Sequence, residues 1–330
     1  MDPARATPHA PNLTVPSTVL VHLNGQLLPH DRAAVSPFDR GFLFGDGLYE
    51  GLRAFSTGTP HHPPRIIGLN RHIRRFQRGL DLCGIHYNAA LLAPITEHLL
   101  AANHLHDAFV YWQVTRGTPD LTSGPVRSRV MTSPHPPTVF AYLSPLPPLD
   151  LTSALPAAKR AGCQRDLRWH LGHIKSISLL GNVIPAIAAH QAVAADEALL
   201  IRAMPDGRRL LGEGTYTNVA VVRGNTVRTP TLTATSILPG VTREIMLELD
   251  PAIREDEITE DELRTADEVL LIGTTTMITA VTHLDGHPVG NARPGPHAHR
   301  LMRLLCDALR ENREDIPTPT PAPAPHGADA

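Results

Sequence analysis

Lysine is nearly missing from this sequence. Of 30 basic side chains, 28 are arginines and only two, Lys159 and Lys175, are lysines. Aromatic residues make up 4% of the chain and do not alternate with basic ones, which excludes a base-stacking platform for single-stranded nucleic acid. A formal net charge of −2 removes the electrostatic case for nucleic-acid binding as well. The three cysteines, Cys83, Cys163 and Cys306, are too few and too scattered for a disulfide framework or a CxxC site. A reducing, cytoplasmic setting is the expectation. No apolar run approaches membrane-spanning length, and "MDPARATPHAPNLTVPS" lacks the basic-then-apolar order of a signal peptide. Histidine is plentiful, at 19 residues. Yet "HLH" at His104 and His106, and "HAH" at His297 and His299, stand without an HExxH or Cys/His pattern, so no metal site is expected.

What is present supports a sizeable core: 330 residues with 42% hydrophobic content, enough for one large domain or two ordinary ones. Residues 1–16 read as a disordered lead, and 314–330 as a disordered Pro/Ala tail. A smaller N-terminal α+β domain is expected over 17–145. It opens on "TVLVHLNGQLLP", where Asn24-Gly25 is a hairpin signal. An amphipathic helix follows at "LNRHIRRFQRGLDLCG", a second helix near 90–104, and strands at "FVYWQVTRG" and "TVFAYLSP". The proline-rich joint at 146–156 separates it from a larger C-terminal domain over 157–313. There a helix follows Lys175, strands are expected at "EALLIRA", "NVAVVRG" and "EVLLIGTT", and helices at "PGVTREIMLELD" and "HAHRLMRLLCDALREN". Strands and helices interleave without regular alternation, which makes the class α+β.

Lys175 raises a chemical question. A guanidinium stays protonated at any ordinary pH, whereas an ammonium can lose its proton and become a nucleophilic amine able to form Schiff bases. A retained lysine in the mostly apolar "GHIKSISLLGN" is either such an amine or a plain surface charge. Lys159, beside Arg160, reads as a surface charge. Gly45, Gly47 and Gly51 in "FGDGLYEGLRAF" are spaced one residue too long for a dinucleotide fingerprint and lack its acidic partner. In "ILPGVTREIM", Pro239-Gly240 turns into a helix whose start at Val241 and Thr242 offers free N–H groups to a phosphate, or an ordinary cap. "VLLIGTTTMITA" ends a buried strand in Gly273 and Thr274, again suited to an anion. Glu213, between glycines in "LLGEGTYTNVAVV", either solvates a turn or faces a buried cation.

In order, "DRGFLFGDGLYE", "HIRRF", "YWQVTRGT", "HIKSISLLGN", "GEGTYTNV", "LPGVTRE" and "LIGTTTMIT" resemble the class IV, or fold-type IV, pyridoxal-phosphate aminotransferases, most closely the D-amino-acid branch. The resemblance spans roughly residues 20 to 312. It implies a two-domain α+β fold, the cofactor pyridoxal 5'-phosphate, and a homodimer acting on small amino and 2-oxo acids by a ping-pong mechanism. It casts Lys175 as the Schiff-base lysine, Glu213 as the carboxylate on the pyridine nitrogen, and Arg75 as the phosphate-binding arginine. Gly240, Val241 and Thr242 become the phosphate-binding helix start, and Gly273 and Thr274 a second phosphate contact. Leu238 packs on the ring face, and Tyr49 lines the substrate pocket.

Two departures matter. Branched-chain aminotransferases place a tyrosine five residues after the lysine, and here that position is Leu180, although "YEGLRAF" resembles theirs. The Arg-x-His pair with which the D-amino-acid branch grips the substrate carboxylate is absent from "TRGTPDLTSGPVRSRVMTSPHPP". Arg127 and Arg129 in that longer loop are the candidates to replace it, or are solvent-facing charges. A D-amino-acid donor with 2-oxoglutarate or pyruvate as acceptor is therefore expected. Branched-chain aminotransferase, (R)-selective amine transaminase, aminodeoxychorismate lyase and a non-catalytic cofactor binder stand as alternatives.

Overall fold

The computed structural model describes residues 19–58, 63–122, 127–130 and 135–313; the expected lead and tail lie outside them. The first half builds an antiparallel sheet of β1 (Leu20–Leu23), β2 (Gln26–Pro29), β3 (Gly47–Phe55), β4 (Arg65–Ile66), β5 (Ala108–Thr115) and β6 (Thr138–Pro145). Its order is β2-β1-β6-β5-β3-β4. Asn24 and Gly25 turn β1 into β2 with φ of 51° and 86°, the positive-φ pair that a tight hairpin requires. A short helix, α1 (Arg40–Phe44), leads into β3.

Period-2 alternation decides which face of this sheet is core. Leu48, Leu52, Val110 and Trp112 point to one side, where α2 (Leu69–Cys83) and α3 (Leu92–Ala102) cover them with Phe76, Leu80 and Leu99. The intervening positions carry Tyr49, Phe109, Tyr111, Phe140 and Tyr142 on the other side, and their rings meet at centroid distances from 5.0 Å to 6.4 Å. Five of the 14 aromatics are thus gathered on one sheet face.

The second half is a nine-stranded mixed sheet. Its strands are β7 (Ala157–Arg165), β8 (Glu197–Ala203), β9 (Arg209–Gly214), β10 (Asn218–Arg223), β11 (Thr226–Pro230), β12 (Arg254–Asp256), β13 (Glu268–Gly273), β14 (Met277–Leu284) and β15 (His287–Pro288). They run in the order β12-β11-β10-β13-β14-β7-β8-β9, with β15 on β14. Strand β7 lies parallel to both β14 and β8. The helix after Lys175 is α4 (Leu180–Val193), which packs on β7 and β8. Helices α5 (Val241–Leu249) and α7 (Pro296–Arg310) bury Val241, Ile245, Leu301 and Leu305 against Leu270, Ile272 and Ile278. On the opposite face Leu199, Leu211, Val219 and Val281 pack with Leu263 of α6 (Glu260–Arg264).

The halves meet at β3 and α5. Phe55 and Ile67 join the core under α5 and α7, and Arg71 of α2 donates to Glu244 at 2.5 Å and to Glu248 at 2.8 and 2.5 Å. Eight of the 15 strands among the described residues lie outside the expected set, and β3 and β7 are the longest of them. Strand β7, "AAKRAGCQR", is polar enough to read as surface, yet its central Ala161 and Gly162 are buried between β14 and β8. Strand β3 is hidden in what looks like a glycine motif.

Candidate active site

Lys175 sits in the loop between β7 and α4, and its backbone is pinned to the start of β3. Tyr49 N–H donates to the Lys175 carbonyl at 3.0 Å, and Ile177 N–H donates to the Gly47 carbonyl at 3.1 Å. Glycine is needed at 47: a Cβ there would lie 2.9 Å from the Val114 carbonyl oxygen and 3.0 Å from Ile177 Cδ1. The loop thereby delivers the Lys175 amine to the aromatic face of the first sheet, 4.3 Å from the Tyr49 ring centroid and 3.3 Å from its Oη. Around it opens a cavity of about 230 Å³ between the two sheets.

One end of the cavity is built for an anion. Helix α5 starts at Val241 after Gly240, with no side chain capping it, so its first N–H groups and its positive dipole end are available to a ligand. A Cβ on Gly240 would fall 1.8 Å from Asn218 Oδ1, so only glycine lets the helix start this close to β10. Thr242 Oγ1 lies 3.5 Å from Thr274 Oγ1, which in turn lies 3.3 Å from His72 Nε2. Arg75 is held by Glu50, with Nε to Oε1 at 2.8 Å and Nη2 to Oε2 at 2.6 Å, and its Nη1 donates to the Pro239 carbonyl at 2.9 Å. These contacts leave guanidinium N–H groups over for a phosphate. Burial opposes ionisation of Glu50, but Arg75 and His72 outweigh it and hold its carboxyl far below the usual range.

The other end holds a carboxylate. Glu213, on β9 and buried, accepts from Arg168 Nη1 at 2.8 Å, from Asn218 Nδ2 at 3.2 Å, and from Leu238 N–H at 3.2 Å to each oxygen. Burial pushes its acidity toward the protonated form, and Arg168 offsets this only in part.

Ten of the twelve residues singled out from the sequence therefore line one cavity: Tyr49, Arg75, Lys175, Glu213, Leu238, Gly240, Val241, Thr242, Gly273 and Thr274. The other two do not. Arg127 and Arg129 are exposed; the Arg127 guanidinium stacks over Phe44, 5.4 Å from its ring centroid. Arg40 anchors that segment by donating to the Ser128 and Arg129 carbonyls at 2.7 and 3.3 Å.

The pattern of the family described as amino-transferase class IV matches residues 47–284. The chain belongs to the class IV aminotransferases. A D-alanine aminotransferase of Bacillus licheniformis is 34% identical over 297 residues, covering 88% of this chain and 96% of the relative. A putative branched-chain-amino-acid aminotransferase of Methanocaldococcus jannaschii is 30% identical, covering 87% and 95%. Among solved structures, the branched-chain aminotransferase of Thermoproteus uzoniensis with norvaline shares the fold at a TM-score of 0.75 and 23% identity, covering 90% and 96%. The branched-chain amino acid aminotransferase of Thermobaculum terrenum in its PLP-bound form does so at 0.72 and 22%, covering 90% and 95%.

Class IV aminotransferases use pyridoxal phosphate, and the cavity of this one suits it. An uncapped helix start with Arg75 fits the phosphate, a single amine stands between the ends, and Glu213 carries more burial than its donors offset. Four residues of this machinery escaped the sequence reading. Glu50 could have been found, because alternation along "LYEGLRA" puts an acid on the apolar face between Leu48 and Leu52. His72 shares a helix face with Arg75 three residues on. Arg168 and Asn218 carry no local signal, since loop and strand geometry alone aims them at Glu213.

Proposed function

We propose that this class IV aminotransferase moves an amino group from a D-amino acid to a 2-oxo acid such as 2-oxoglutarate or pyruvate, in two half-reactions with ping-pong kinetics. The observation that carries the reading is the Lys175 amine, held against Tyr49 in the same cavity as the anion-binding helix start and Glu213. When bound, pyridoxal phosphate supplies the electron sink for charge developing at the donor carbon. Lys175 is the group placed to take the proton from that carbon and return it. Glu213 holds a positive charge at the ring-nitrogen end, and Arg75 with the α5 start fixes the phosphate. The D-alanine relative supports a D-amino-acid donor. So does Leu180, which stands on the exposed side of α4 where the branched-chain pattern has a tyrosine. A branched-chain donor is the second reading, favoured by Phe109, Trp169 and Tyr216 along the cavity wall.

A homodimer in the cytoplasm completes the proposal. Leu180, Val183, Ile184 and Ile187 form an i, i+3, i+4, i+7 stripe on α4 that is 46–69% exposed, a face that calls for a partner. Since Arg127 and Arg129 stay outside the cavity of their own chain, a carboxylate grip by either acts across that dimer.

The test is a donor panel of D-alanine, D-glutamate, L-leucine and a simple primary amine with both acceptors. D-amino acids should give the highest kcat/KM; preference for L-leucine or for the amine moves the assignment to that branch. Arg127→Ala or Arg129→Ala should lower kcat/KM for amino acids by about one to two decades, roughly 1.5–3 kcal/mol, and spare the amine. Loss-free removal of both places the grip elsewhere.

A further inference from the structure

Glu213 can serve the ring-nitrogen end only as a carboxylate, and three of its four hydrogen bonds come from uncharged donors at 3.2 Å. The fourth, from Arg168 Nη1, is the shortest at 2.8 Å and the only one that carries charge from a neighbouring side chain. We propose that Arg168 is a positioning residue that keeps Glu213 ionised and aimed into the cavity, and that Asp166 and Arg202 form the brace that holds Arg168 there. The proposal rests on the reading of Glu213 given above.

The brace is specific. Arg168 lies seven residues before Lys175 in the same loop, and its side chain is 8% exposed. Its Nε donates to Asp166 Oδ1 at 3.0 Å and its Nη2 to Asp166 Oδ2 at 3.2 Å, while its backbone N–H donates to Oδ1 at 3.0 Å. Asp166, whose side chain is fully buried, also accepts from Arg202 Nη2 of β8 at 2.7 Å. Arg202 Nη1 in turn lies 3.3 Å from His170 Nδ1. Gly181, on the first turn of α4, leaves room for the stem: a Cβ there would come within 3.0 Å of Arg168 Cγ. An Asp166–Arg202 pair alone would tie this loop to β8. Arg168 adds a cation to the cavity wall, and its one remaining hydrogen bond among the described residues goes to Glu213.

The charge logic gives the role. One proton is shared between Glu213 and the ring nitrogen it faces. With Arg168 against it, Glu213 stays an anion and accepts a hydrogen bond from a protonated nitrogen. Without Arg168, burial is opposed only by the neutral donors and by the weaker pull of Lys175, so Glu213 takes the proton and donates instead. The total proton count is unchanged, but the positive charge leaves the ring.

Holoenzyme carrying ¹⁵N-labelled pyridoxal phosphate reads this directly. Arg168→Met should move the ring-nitrogen resonance from the protonated to the unprotonated position at neutral pH and lower kcat by about ten- to a hundredfold, as loss of groups behind a functional ligand does. Arg168→Lys, which keeps the charge, should keep the protonated signal. Arg168→Gln, smaller and able to hydrogen-bond Asp166, is the second neutral variant if the Met form does not fold, and the same shift is expected. A protonated nitrogen in the folded neutral variant overturns the proposal, even if turnover falls. Glu213→Gln is the control: if it leaves both the resonance and turnover untouched, the reading of Glu213 itself fails, independently of Arg168.

Discussion

The two ends of the cavity each bury a glutamate on an arginine, yet the two carboxyls are driven in opposite directions. Glu50 is completely buried and faces two partners, the Arg75 guanidinium through both oxygens and His72 Nδ1 at 2.7 Å. The partners outweigh burial, so its carboxyl is held as an ion. Glu213, 4% exposed, meets one guanidinium N–H and otherwise neutral donors, so burial prevails and its carboxyl is pushed up. Burial alone always favours the neutral form; the count of charged contacts decides which way each site goes. Glu50 is a closed pair that fixes Arg75 and needs nothing more. Glu213 is left short of positive charge, which is the condition a ring N–H would satisfy.

Between the ends stands Lys175, and its replacement should have the largest effect. Lys175→Arg keeps the charge but cannot form an imine, so turnover should vanish while the fold survives. Borohydride reduction of the yellow holoenzyme should fix the cofactor on Lys175; a label on Lys159, the other lysine, would remove the basis of the site. Glu213→Gln should keep the cofactor bound and cut turnover by about 10²-fold, the scale for losing one charge-stabilising group. Near-normal turnover would show that the two glutamates do not differ in role.

At the closed end the loss should appear in folding and cofactor affinity first. Glu50→Gln leaves Arg75 buried beside a neutral amide, and breaking a buried ion pair by removing one partner costs about 3–5 kcal/mol. Urea midpoints of the cofactor-free protein should fall accordingly, and pyridoxal phosphate should dissociate more readily because Arg75 is no longer fixed. An unchanged midpoint would mean that the Glu50–Arg75 pair carries no structural weight, and the contrast between the ends would collapse.

Much of this was legible in the sequence. The anion end announces itself locally: Pro239-Gly240 followed by Val241 and Thr242 is a helix start whatever surrounds it, and Asn24-Gly25 is a turn for the same reason. Lys175 stands out because arginine occupies almost every other basic position. What escaped depends on tertiary placement. Arg168 reaches Glu213 only because β7 and β9 flank β8. The polar β7 is core by virtue of two strands that pair with it, not by its own composition. Arg127 and Arg129 show the converse, since by chain position they look like part of the site, yet neither lines the cavity of its own chain.

The smallest expected effect is a tilt of stability with pH, and its sign differs between the two kinds of glutamate. For Glu50, depressed in the fold, stabilisation is present above the ordinary value of about 4.3 and is lost as pH falls below it. For a carboxyl raised in the fold the proton is held more tightly by the native state, so stability is greatest at low pH and declines as pH rises through the window. Glu213 is of this second kind. So is Glu197, buried beneath the loop that follows Glu213, where it accepts from Thr215 N–H at 2.8 Å and from Thr217 Oγ1 at 3.1 Å. Burial pushes Glu197 up to about 7, with Lys159, Asp196 and Tyr216 the ionisable groups around it. Glu197→Gln removes that titration. Relative to the unmodified protein, the variant should therefore gain of order 1–3 kcal/mol between pH 5 and pH 8, measured as urea midpoints of the cofactor-free form, whereas Glu50→Gln should recover part of its deficit only as pH falls below about 4. Parallel pH curves for the two variants would mean that Glu50 and Glu197 titrate alike, and that charged partners and bare burial do not drive buried carboxyls of this fold in opposite directions.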